Sequence, residues 1–119
     1  MEEARKHWEI VLELEPEDRP AHLALAWSLA TEEQEGRRDG ARALALAQRG
    51  AALVGRQDAR ALDVLGAALA ENGRFVEAAD SLRRALSAAA EDDPRREGMR
   101  RRLALYESDA PYREPRTGR

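Results

Sequence analysis

Cysteine is missing from all 119 residues, so neither a disulfide nor a thiolate metal site holds this chain together. That absence fits a reducing compartment. No signal peptide is expected, and no apolar run approaches the ~20 residues of a membrane span. The expectation is a soluble, cytoplasmic chain. Aromatic residues number only five, Trp8, Trp27, Phe75, Tyr106 and Tyr112, and the apolar share comes mostly from alanine, which favours close helix-helix approach over bulky packing. β-Branched residues are few and no apolar run alternates, so no strand is expected and the chain reads as all-α. Lysine is nearly absent: Lys6 stands alone beside nineteen arginines, which with the alanine richness reads as a GC-rich bacterial coding bias. Histidine is almost as scarce. His7 and His22 fall on different helices, with no serine, carboxylate or thiol spaced to complete a triad with either. The glycines make no phosphate loop, and no His/Asp/Glu spacing matches a metal site. No enzyme activity, cofactor or metal is therefore expected.

What the chain does have is helical periodicity, clearest from Ala61 to Ala90. Leu62, Leu65 and Leu69 recur at spacings of three and four, as do Phe75, Ala78, Leu82, Ala85 and Leu86, and Asn72-Gly73 between them offers left-handed residues to end the first helix. The pattern predicts a helical hairpin. Upstream, a helix from Glu2 to Leu14 carries Ala4, Trp8, Val11 and Leu12 on one stripe and is stopped by Pro16. A second, capped by Asp18 with Pro20 in its first turn, runs to about Thr31 with Leu23, Ala26, Leu29 and Ala30 inward. After a long turn, Glu32 to Gly40, a third runs from Ala41 to Val54 and ends at Gly55; Asp58 then caps the hairpin. The last helix, opened by Pro94, reaches about Ser108 on a Met99, Leu103 and Tyr106 stripe. Six helices are expected, followed by a mobile tail, 109–119, unless Pro111-Tyr112 folds back on the last helix.

The spacing repeats. Leu62-x-x-Leu65-Gly66-x-x-Leu69 followed by Gly73-x-Phe75-x-x-Ala78-x-x-x-Leu82-x-x-Ala85-Leu86 resembles the tetratricopeptide repeat, without the aromatic that often opens its first helix or the proline that usually closes its second. Ala4-x-x-x-Trp8-x-x-Val11 leading to Pro16 resembles a second helix of the same family. His22, Leu25, Ala26 and Leu29, then Ala43, Ala47 and Gly50, resemble a more degenerate unit with about five extra residues in its turn. The resemblance divides residues 1–108 into a partial repeat (1–16), a degenerate repeat (19–55), a well-formed repeat (59–92) and a capping helix (94–108). Leu25-Ala26-Trp27 to Gly40-Ala41, and Arg101 to Pro111-Tyr112, also look like the C-terminal end of long bacterial tetratricopeptide proteins. It implies an α-solenoid of antiparallel hairpins in a right-handed superhelix. The first helices of the units would line a concave groove holding a peptide, a helix or another protein. About three repeats are usually needed for stability, so completion by a longer parent chain N-terminal to residue 1, by a second copy or by a partner is expected. Residues 1–35 hold ten acids against three bases and 36–119 thirteen against seventeen, an asymmetry that assists head-to-tail stacking within the ~10 Å that salt allows.

On this scheme the groove is lined by Leu23, Trp27 and Thr31 from one first helix and by Arg60, Asp63, Ala67 and Glu71 from the next. Trp27 either anchors a partner's apolar side chain or packs against a neighbouring helix. The carboxylate clamp of some tetratricopeptide domains is absent, since Leu23 and Asp63 stand where it needs Lys or Asn. Arg95, Arg96, Arg100, Arg101 and Arg102 form the densest charge cluster, an anion or nucleic-acid patch in the sharp reading. The bland reading makes it a solvated helix face paired with Glu91, Asp92, Asp93 and Glu97. The acidic balance and the lack of interleaved aromatics disfavour nucleic acid. The reading is a non-catalytic protein-interaction scaffold, with homotypic stacking through exposed ends as the alternative.

Overall fold

The computed structural model describes residues 2–54 and 58–115, and among them every regular element is helical. Six α-helices run in order, α1 Glu2–Leu14, α2 Arg19–Thr31, α3 Gly40–Val54, α4 Ala59–Glu71, α5 Phe75–Ala88 and α6 Arg96–Glu107, with one 3₁₀ turn at Glu35–Arg37. The molecule measures 34 × 31 × 27 Å. None of these helices is long and apolar enough to cross a membrane.

Local chemistry sets most of the boundaries. Asp18 accepts a hydrogen bond from the Ala21 amide (3.0 Å) and Asp58 one from the Ala61 amide (2.9 Å), each satisfying an amide that the first turn leaves unpaired. At the end of α4 the amides of Gly73 and Arg74 bond back to the carbonyls of Ala70 and Leu69, and Gly73 takes φ +76°. Asn72 does not share that conformation, having φ −91°, so one left-handed residue makes the turn. The same pair of backbone bonds closes α6, where Asp109 and Ala110 bond to Tyr106 and Leu105 and Asp109 sits at φ 59°. A non-glycine residue there turns the chain sharply back towards the helices it has left. Gly55, the expected end of α3, lies outside the described residues.

Consecutive helices pack on one another, and α2 also packs directly on α4. Helix α4 divides the interior. Its Ala61, Val64, Ala67 and Ala68 face α2 and α3 around Leu25, Ala26, Leu29, Ala43 and Ala47, while its Ala59, Leu62, Leu69 and Ala70 face α5 and α6 around Ala78, Leu82, Ala85, Met99 and Tyr106. Small residues permit the close approach of α4 to α5 and of α3 to α2. A Cβ on Gly66 would lie 2.2 Å from a Leu82 methyl, and one on Gly50 would lie 2.7 Å from a methyl of Leu23. Helix α1 is tied to α2 by Arg5, whose guanidinium donates to the Ser28 hydroxyl and carbonyl at 2.7 and 3.0 Å.

Candidate functional site: a face closed by the C-terminal segment

The residues expected to line a groove come together on the side of the molecule formed by α2 and α4, but most of them are covered. Leu23 packs against Gly50 of α3, and Ala67 lies inside the cluster shared with α2. Thr31 is buried, its hydroxyl donating to the Trp27 carbonyl at 2.7 Å. Those three are therefore packing residues rather than an exposed lining, because the residues of α2 and α4 that point away from one helix meet another. Arg60 is exposed, and Glu71 and Trp27 are half-buried.

Asp63 is buried against a residue from the far end of the chain. Arg102 of α6 donates to both of its oxygens, at 2.9 and 2.7 Å, and only about a tenth of either side chain meets solvent (11% and 8%). Burial works against the Arg102 charge, yet the hydrogen bonds and charge of Asp63 prevail and hold that guanidinium above its ordinary pKa. The guanidinium carbon also lies 5.1 Å from the Trp27 ring centre and 5.0 Å from that of Tyr112, the two rings being 5.7 Å apart. A cation on two aromatic faces in a desolvated setting gains up to about 2 kcal/mol per face.

Tyr112 belongs to the segment expected as a mobile tail. After the reversal at Asp109, the described part of that segment, through Pro115, instead runs without regular structure along the α2 and α4 face. The Glu114 amide donates to the Thr31 carbonyl at 2.8 Å, at the C-terminal end of α2, where helix carbonyls lack internal partners. The Glu114 carboxylate accepts from the Trp27 indole at 3.3 Å and from the Tyr112 hydroxyl at 3.2 Å, and Arg113 pairs with Glu71 at 2.7 Å. Burial, then the nearby Glu114 charge, pushes the Tyr112 hydroxyl pKa up. Glu71 is held from its other side by Arg38 at 3.2 Å. Trp27 packs on the first cluster with part of its ring, while the rest meets Tyr112 and Glu114 of the same chain. No family profile, curated protein or solved structure matches this chain.

Beside the closed face a cavity of about 320 Å³ stays open, lined by Trp27, Arg60, Asp63, Pro94, Arg95 and Arg102 among others. The arginine cluster does not gather there as free cations. Arg95 is held by Asp93 at 2.7 Å and Arg101 by Glu97 at 3.1 Å, while Arg96 donates to the Leu86 and Ala89 carbonyls at 2.6 and 3.3 Å. Arg102 is committed to Asp63, and Arg100 is exposed. His22 is buried and bonded to the Pro16 carbonyl at 2.7 Å. Among the described residues no three His, Asp or Glu side chains gather as a metal site.

Nothing in the sequence marks Arg113, Glu114 and Arg38 as site residues. Their roles depend on partners tens of residues away, and no periodicity marks them. The only signal was Pro111-Tyr112, a proline that extends the backbone beside an aromatic in a chain with few aromatics.

Proposed function

We propose that this chain is a non-catalytic protein-interaction module of tetratricopeptide type, binding an extended peptide segment across α2 and α4. The direct packing of α2 on α4 supports that arrangement, because stacked hairpins bring the first helices of neighbouring units together. One observation carries the functional reading: this face already holds an irregular segment, residues 111–115, by aromatic contact, a backbone hydrogen bond and an ion pair. These are the means by which peptide grooves hold linear segments, main-chain bonds giving affinity and side-chain pockets giving selectivity. Screening displayed linear peptides against the Tyr112→Ala chain in a Trp8→Phe background, where Trp27 is the sole indole, tests it. The expected result is a set of binders that change Trp27 fluorescence. A folded variant that enriches none removes the reading.

A second reading is favoured by α1. Ile10 and Leu14 are one turn apart, 54% and 77% exposed, and so present apolar surface on the outer face of the first helix. Stacking of copies through this face predicts a sedimentation coefficient that rises with concentration and is flattened by Leu14→Glu.

A further inference from the structure

The strand lying on the α2 and α4 face is a built-in competitor, and its chemistry describes what it competes with. Four separate devices hold it: Tyr112 on Trp27 and Arg102, the Glu114 amide on the Thr31 carbonyl, the Glu114 carboxylate on the Trp27 indole, and Arg113 on Glu71. Each is a contact that an incoming segment can reproduce, because each recognises either backbone or a side-chain class rather than a fold. The recognition elements are fixed independently of the strand. Arg102 is clamped by buried Asp63, Thr31 is locked to the Trp27 carbonyl, and Glu71 is held by Arg38. What the face asks for is an aromatic ring over the Arg102 guanidinium and, two residues later, a carboxylate at the Trp27 indole.

Resting on the reading of this face as a peptide groove, we infer that its ligand is an extended segment carrying an aromatic residue two positions before an acidic one, and that residues 111–115 occlude the groove by presenting the same pattern, Tyr112-Arg113-Glu114. The strand is joined to α6 through the short turn at Ser108–Ala110, so it acts at an effective concentration in the millimolar range. A ligand in trans with the same contacts meets that competitor first, and its apparent affinity falls by the fraction of molecules whose face is open. The groove is self-limiting: weak or dilute ligands are refused, and segments that bind it more tightly displace residues 111–115.

The test uses the full chain and a fluorescent hexapeptide of the sequence of residues 110–115, titrated by polarisation against wild type, Tyr112→Ala and Glu114→Ala. Both substitutions weaken the strand and leave the receiving residues intact. The expected result is at least about tenfold tighter binding to each variant than to wild type, lost when the peptide's own tyrosine or glutamate becomes alanine. Two variants guard against one that fails to fold, checked by circular dichroism. If a folded variant binds the peptide no better than wild type, the strand is a fixed cap and the inference is overturned, whereas the broader groove reading survives if library peptides still bind. Equal binding of the alanine-substituted peptides overturns the aromatic–acid pattern. A wild-type dimer that dissociates on Tyr112→Ala would seat a second copy's strand on the face and overturn intramolecular occlusion.

Discussion

At the scale of single residues, the Asp63–Arg102 pair decides the most. Two charges withdrawn from water are tolerable only because each satisfies the other, and removal of one strands the partner. Arg102→Ala or Asp63→Ala is expected to cost about 3–5 kcal/mol in urea denaturation, while Asp63→Leu with Arg102→Met restores much of the loss. If the double variant is no more stable than the singles, the pair is not the coupled unit its geometry describes. The neighbouring Tyr106 shows the opposite economy. Its hydroxyl is buried without a hydrogen-bond partner among the described residues, and burial, with the Asp63 charge, raises its pKa. Asp63 was legible in the sequence as an acidic residue off the leucine stripe, but its partner lies 39 positions away and nothing local announces it.

At the scale of elements, the start of α6 carries its own electrostatics. Asp93 accepts from the Arg95 amide at 2.9 Å and from the Arg95 guanidinium at 2.7–3.2 Å, a side-chain turn that leads Pro94 into the helix. The Arg95 side chain first, then its amide, lowers the Asp93 pKa to about 2. The sign follows from that depression. Whatever Asp93 contributes to folding is fully present above the ordinary carboxylate range and is lost as pH falls through about 2. A carboxyl titration followed by NMR should find the Asp93 midpoint near 2, and Arg95→Ala should move it back up towards the ordinary value. An unmoved midpoint would dissociate the pKa from the arginine. The helices themselves were readable, since aspartate caps, prolines and three-four spacing are local signals. Their faces were less so. The sequence reading assigned α4 one packing stripe, yet ten of its thirteen residues are buried, because α2 takes a second face of it.

At the scale of the whole molecule, α4 makes the two clusters a single unit. Val64 and Ala68 belong to one and Leu62 and Leu69 to the other, so neither cluster loosens without exposing a face of the same helix. Leu82→Ala, in the cluster on which neither tryptophan packs, should cost about 2–5 kcal/mol. The urea midpoints seen by tryptophan fluorescence and by far-UV circular dichroism should fall together. A fluorescence transition that stays in place would mean that the α1–α3 side unfolds independently. The closing strand works at this scale too, joining residues 112–114 to α2, α4 and α6 at once.

By itself the sequence determined the all-helical class, the capped starts of α2 and α4 and the glycine reversal between α4 and α5, because these arise from contacts within a few residues and from side-chain periodicity. The resemblance to a repeat family led to the expectation that Trp27, Asp63 and Glu71 share a groove. Only the tertiary structure decided what covers them. The fate of the α2 and α4 face depends on a left-handed Asp109, an arginine 39 residues from its acid and a C-terminal segment whose partners on α2 and α4 are 42 to 87 residues away. Those pairings are fixed by where helices stop and how closely alanine lets them approach, quantities that no local pattern encodes.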